Sequence, residues 1–212
     1  PNGLLRVGWF VLLLATAAVA TVTVARVSPW LAIPLLYVTW FLYGFWVAIA
    51  HELQHRTVFG PGADRASEVF FFFVQTLVWN SPTYARVSHR LHHRYTMVRG
   101  MDPETAWPDV IGSRWLRRYL ADLFLRILIV GAVVDLVRSV LTQIERVAGR
   151  LNPIMREHCS PADVAAIRRE SLAILAIHVA VAAASVVFRR WELLAFVTVA
   201  WQVGSPIENL WH

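Results

Sequence analysis

The sequence predicts an all-α polytopic membrane protein, with about four transmembrane helices in two hairpins and a helical cytoplasmic cap. Three observations predict it. Hydrophobic residues make up 57% of the 212 and the mean hydropathy is +0.51, above what a water-soluble domain of this size carries. The apolar residues fall in long uncharged blocks, Gly8 to Ala25 and Trp30 to Ala50 among them. The basic residues are all arginine, and sixteen of the 20 lie between His51 and Glu170. Segments on the cytoplasmic side of a membrane collect such charge, so this middle segment is placed there, next to anionic headgroups.

The elements follow in order. A helix rises about 1.5 Å per residue, so roughly 20 apolar residues cross a bilayer core. The first span is expected over about 8–26. It is not a removable signal peptide, because it lacks a small-residue cleavage site and further spans follow it. Ser28-Pro29 turns the chain, and the second span returns over about 30–50. The cap is expected over 51–170. Within it, Gly60-Pro61-Gly62 is a turn, and Ser67 to Trp79 is apolar but too short to span, which suits a re-entrant or interfacial helix. Asn80-Ser81-Pro82 breaks that helix, and a polar helix runs from about Thr83 to Tyr95. Met101 to Pro108 is a loop. Arg114 to Val147 carries apolar residues at helical spacing between arginines, and is expected to lie along the membrane face until Asn152-Pro153 ends it. Ser160-Pro161-Ala162-Asp163 opens a helix with an N-cap, a first-turn proline and an acid at the positive end of the dipole. That helix leads into a third span at about 171–188, and a fourth follows at about 191–211. Residues 1–212 are expected to form a single domain.

Composition excludes several chemistries. Cys159 is the one cysteine, so an internal disulfide, a cysteine-rich zinc site and an iron–sulfur cluster are excluded, and electrons must come from a separate protein. The net charge of +6 does not indicate nucleic acid, because the cations sit between membrane spans.

Five of the eight histidines form two clusters, His51 with His55, and His89 with His92 and His93. Residues three or four apart share a helix face, so each cluster converges. Neutral imidazole suits iron, zinc and copper. A histidine pair arises easily by chance, and an arginine-rich helix can simply hold acidic lipid heads. Both clusters, however, stand where a membrane helix meets the cytoplasm, and five imidazoles exceed the needs of one tetrahedral zinc site. Two metals are the natural reading. The rival is a zinc intramembrane metallopeptidase, because His51-Glu52-Leu53-Gln54-His55 spells H-E-x-x-H, in which Glu52 would be the general base. That reading needs a third ligand, for which Asp135 is the candidate inside an apolar run, and it leaves His89, His92 and His93 unexplained.

The two clusters resemble the first two histidine boxes of the membrane fatty-acid desaturase and hydroxylase superfamily. The run from Ser88 to Thr96, the later Asp102-Pro103-Glu104 and the segment Gly204 to Leu210 resemble bacterial members. The resemblance implies four membrane helices under a cytoplasmic cap, in a bacterial inner membrane with the metal site on the cytoplasmic side. It implies His51, His55, His89, His92 and His93 as ligands to two iron ions and O2 as co-substrate. The electron donor would be a ferredoxin, a rubredoxin or a cytochrome-b5-type protein, and the substrate a lipid or fatty-acyl chain. The expected reaction is desaturation, with hydroxylation or oxidative decarboxylation as alternatives on the same scaffold. The family's third box, H-x-x-H-H or Q-x-x-H-H, does not appear before His212, and the chain begins with Pro1, so a fragment incomplete at both ends is expected. Asn209 and His212 lie near where some members supply a further ligand. Asp102 and Glu104 are candidates to accept the second N–H of ligand imidazoles, although Asp102 before Pro103 also suits a turn cap. His178, in mid-membrane, is expected to be neutral and hydrogen-bonded, and His158 to be a surface residue.

Overall fold

In the computed structural model of the protein, residues 2–60, 62–104, 112–127 and 129–208 are described, and among them the regular structure is helical throughout. The chain divides into two compact units, one of residues 1–78 with 178–212, the other of residues 79–177.

In the first unit, α1 (Asn2–Val27) leads into α2 (Pro29–Gly44). Ser28 is the N-cap, with its hydroxyl accepting from the Leu31 N–H, and Pro29 follows at the first helical position, where no N–H is needed. The two helices pack through Thr21 and Thr39, both fully buried, whose hydroxyls lie 3.0 Å apart. Each hydroxyl also reaches back 2.8 Å to a carbonyl four residues earlier, so neither polar group is stranded in an apolar setting.

The second span does not run unbroken. It pauses at Phe45 and resumes as α3 (Trp46–Gln54). Beside the pause, α2 meets α11 (Ala200–Glu208) backbone to backbone. A Cβ on Gly204 would stand 2.5 Å from the Trp40 carbonyl oxygen, and one on Gly44 would stand 2.8 Å from the Gly204 oxygen. Only glycine permits that approach.

The α4 helix (Asp64–Leu77) is amphipathic and lies against α3, where Trp46 meets Phe70 and Phe73 edge to face. It begins three residues before the expected Ser67. His178 is buried, with Nε2 3.0 Å from the Thr76 carbonyl oxygen and Nδ1 3.2 Å from the Thr198 hydroxyl. Nε2–H therefore donates to a carbonyl near the C-terminus of α4 and Nδ1 meets a hydroxyl, so both ring nitrogens have partners, the hydrogen-bonded ring the sequence predicts.

The last stretch is α10 (Trp191–Leu193), a π-helical segment (Leu194–Val199) and α11. The wider π turn displaces carbonyls from the usual ladder, and the Trp40 indole donates to the Ala195 oxygen at 3.0 Å.

In the second unit, α5 (Pro82–Tyr95) is capped by Ser81 and started by Pro82. Its apolar side joins a core of Val87, Leu91, Leu151, Met155 and Ile167. The expected amphipathic stretch is helical on both sides of residue 128, as α6 (Ser113–Ile127) and α7 (Ile129–Val147). Asn152-Pro153 does not end α7. Gly149 at φ +77 does, and Asn152 instead caps α8 (Pro153–His158), accepting from the Met155 N–H at 2.8 Å. The α9 helix (Pro161–Val187) starts at a reciprocal cap, Asp163 N–H to the Ser160 hydroxyl oxygen and Ser160 N–H to the Asp163 carboxylate. His158 is exposed, as expected.

Among the described residues, three helices are long and apolar enough to cross a membrane: Gly3–Val27, Pro29–Gln54 and Pro161–Val187. The third begins ten residues earlier than the expected 171–188. The fourth expected span is helical from Trp191 to Glu208 but is not among the three, since the π segment and α11 hold polar residues such as Thr198, Gln202 and Glu208.

Candidate metal centre

The first histidine cluster sits where α3 ends. His51 is in its last turn and His55 is the C-cap residue, whose N–H returns 3.2 Å to the His51 carbonyl. Arg56 then takes φ +57 and turns the chain away. One helical turn brings the Nε2 atoms of His51 and His55 to 3.3 Å.

The second cluster occupies α5. His89 is buried and His93 exposed, and their Nε2 atoms lie 3.0 Å apart with the rings nearly perpendicular. His92 stands on the adjoining face, its ring centre 5.9 Å from that of His93. The i,i+4 pair of α5 is thus brought together, and His92 is a neighbour of it.

These separations suit chelation. With metal–imidazole bonds of about 2.1 Å, two nitrogens on one ion stand roughly 3.0 Å apart at a right angle and roughly 3.4 Å apart at the tetrahedral angle. Both pairs fall within that interval. Two like-facing ring nitrogens can share one proton or one cation between them, and the donor set of imidazoles suits iron as well as zinc.

The opposite ring nitrogens of α5 meet carboxylates. His92 Nδ1 lies 2.9 and 3.1 Å from the two oxygens of Asp102, which is buried. Asp102 also accepts the Met97 N–H at 3.0 Å and the Glu104 N–H at 2.9 Å. Asp102 thus caps a turn and also faces the His92 imidazole. Glu104 places an oxygen 3.6 Å from His89 Nδ1 and accepts from the Ser88 hydroxyl at 3.2 Å. The Asp102 carboxylate on Nδ1 of His92 keeps the proton there and leaves the Nε2 lone pair on the opposite edge of the ring, free for an ion.

Glu52 is placed differently. Its carboxylate accepts from the Thr57 hydroxyl at 2.5 Å and lies 3.6 Å from Nδ1 of His51. A peptidase base must face the water on the metal, beside the paired Nε2 atoms, and this carboxylate is on the other edge of the ring. Asp135, the third ligand a peptidase would need, pairs instead with Arg138 at 3.2 Å on α7. Asn209 and His212 lie outside the described residues.

Sequence reasoning passed over Glu170. Its carboxylate accepts from the Ser81 hydroxyl at 2.5 Å, the Thr83 N–H at 2.9 Å and the Thr83 hydroxyl at 2.7 Å. It therefore fixes the N-terminus of the histidine-bearing helix, a position where the helix dipole favours an anion. The sequence signal was a lone acid after Arg168 and Arg169 in a stretch otherwise heading into a span.

The family model for fatty acid desaturase matches residues 28–212. The chain belongs to the fatty-acid desaturase family. No curated protein and no solved structure matches it. Membership makes this desaturase-family protein a membrane-associated oxidoreductase with a lipid substrate, and its paired imidazoles fit the metal site that such chemistry uses.

Proposed function

We propose that the protein is an O2-dependent di-iron desaturase of an alkyl or fatty-acyl chain. The observation that carries this reading is the pair of chelating Nε2 separations, 3.3 and 3.0 Å, in a chain of the desaturase family. His51, His55, His89, His92 and His93 would hold two irons, with the cap and the metal site on the cytoplasmic side of a bacterial inner membrane. Bound iron would activate O2 with electrons from a ferredoxin, rubredoxin or cytochrome-b5-type donor, and supply the power to take hydrogen from an unactivated C–H bond.

The chain's own residues do the rest. Asp102 holds a proton on Nδ1 of His92, fixing which of its nitrogens would face the metals, and the Glu104 carboxylate stands 3.6 Å from Nδ1 of His89. Glu170 anchors α5 so that the three histidines keep their register. Trp46, five residues before His51, is ringed by Phe10, Tyr43, Phe70 and Phe73. An alkyl chain held beside this aromatic cluster would have its reacting carbon kept from water. Placement of that carbon decides whether a second hydrogen leaves or a hydroxyl returns, so hydroxylation and oxidative decarboxylation are the alternative outcomes on this scaffold. The exposed arginines of the cap favour an acidic donor, since charge complementarity raises association rate.

The test is turnover of the complete protein with a reconstituted donor, O2 and a fatty-acyl substrate, read by mass spectrometry. Loss of two mass units with about two irons per chain is expected. A gain of one oxygen would assign a hydroxylase, and loss of the carboxyl carbon as CO2 with formation of a terminal alkene an oxidative decarboxylase. Activity with zinc alone would overturn the proposal. Turnover indifferent to ionic strength would remove the acidic-donor element.

A further inference from the structure

At the end of the first unit remote from His51, a groove of about 370 Å3 opens between α1 and the chain that follows α9. Its lining includes Val19, Val22 and Phe196 together with Arg26 and Arg190. The α2–α3 path of 26 residues separates this end from the His51–His55 pair by about 39 Å of helix. That length exceeds the roughly 30 Å of a bilayer's hydrocarbon core.

Three features at that end bear on what the groove takes. Trp30 and Trp191 are 81% and 46% exposed, and exposed tryptophans at the ends of membrane helices mark the headgroup level. Arg26, Arg189 and Arg190 are all exposed there, on the side where basic residues are otherwise sparse in this sequence. Among residues 24–34 and 185–195 the one acid is Glu192, which is ion-paired with Arg190, so three cations face a single carboxylate. An apolar trough at acyl depth with cations at headgroup depth has the polarity of an anionic amphiphile laid along it. The volume falls in the range of roughly 300–1,000 Å3 typical of small-molecule sites.

We propose that this groove binds an anionic phospholipid of the leaflet opposite the histidine pairs. Its phosphate would lie on Arg26 and Arg190, and the first part of one acyl chain along Val19, Val22 and Phe196. Guanidinium groups suit this role through charge-assisted, paired hydrogen bonds to phosphate oxygens. The site is separate from the proposed reaction and does not depend on it.

The test uses the full protein in neutral detergent, with phosphatidylglycerol and phosphatidylcholine of identical chains as probes and native mass spectrometry as readout. Phosphatidylglycerol is expected to be retained in preference to phosphatidylcholine. The double variant Arg26→Gln with Arg190→Gln should weaken that retention roughly thirtyfold, from the contribution of two arginines near a phosphate. Val22→Trp, which fills the trough and leaves the charges in place, should also displace the lipid, and it keeps the proposal testable if the double variant does not fold. Equal retention of both lipids, retention unchanged in Val22→Trp, or full competition by inorganic phosphate alone would overturn the proposal.

Discussion

Replacing Asp102 with asparagine tests the orientation of the second histidine cluster most sharply. Both carboxylate oxygens accept backbone N–H groups, Oδ1 from Glu104 at 2.9 Å and Oδ2 from Met97 at 3.0 Å, and both lie within reach of His92 Nδ1. An amide offers one acceptor oxygen and one NH2 group. Whichever way it is turned, a donor meets a donor at a site where the side chain is 1% exposed. Leaving one such group unsatisfied costs about 1–3 kcal/mol, and losing the charge on the remaining bonds adds to it. For a chain of this length, about 1–3 kcal/mol lowers the melting temperature by roughly 3–10 °C. Loss of an outer carboxylate also weakens metal affinity by about 10–100-fold. The assay is iron retained after competition with a graded series of chelators, measured beside thermal unfolding in detergent. Iron affinity equal to that of the unaltered protein would refute the idea that Asp102 sets the His92 tautomer, whatever happened to the melting temperature.

Other consequences follow from particular contacts. Gly204→Ala places a methyl 2.5 Å from the Trp40 carbonyl oxygen and 2.9 Å from the Gly44 nitrogen, so α11 must move off α2. Overpacking against backbone costs about 1–3 kcal/mol or more, so the melting temperature should fall, whereas Gly8→Ala, inside α1 with open space around it, should raise it slightly because alanine favours helix over glycine. Glu170→Ala strands the Thr83 N–H and two hydroxyls at the start of α5. Amide exchange should accelerate across residues 83–86 and iron content should fall, whereas intact protection there would remove Glu170 as the anchor. Burial pushes the Cys159 thiol up from its usual range, with Asp163 adding to the shift. Its alkylation should accelerate at higher pH than that of a free cysteine peptide, and a midpoint at or below the peptide's would contradict the packed position.

Much of the architecture was legible because it is written locally. Uncharged apolar blocks gave the spans, Ser81-Pro82 gave the start of α5, and the Ser160–Asp163 pair gave the start of α9, each through a cap or a proline acting within one turn. The errors are of two kinds. Asn152-Pro153 was read as a stop because asparagine and proline also end helices, when in fact Gly149 stops α7 and Asn152 begins α8. The pause at Phe45 and the π segment at Leu194–Val199 had no local signal. They accompany a long-range approach of Gly44 to Gly204 and a bond from Trp40 to Ala195, partners far apart in the chain.

The site divides the same way. The i,i+4 spacing was enough to pair His51 with His55 and His89 with His93, since a helix turn fixes it. That His92 would stand apart with its Nδ1 on Asp102 depends on how the chain after α5 folds back, with Met97 at φ +62 and Gly100 at φ +74, and spacing alone does not contain that turn. Glu52 was misleading in the sequence for a related reason. Its letter in H-E-x-x-H says nothing of Thr57, whose hydroxyl holds the carboxylate on the wrong edge of the His51 ring for a peptidase.

The most direct measurement is metal content of the complete, purified protein by mass spectrometry, with one histidine from each pair replaced in turn. The account predicts close to two irons per chain, with a marked loss in both His55→Ala and His93→Ala. A single zinc per chain, or iron that stays bound when both histidines are replaced, would contradict it.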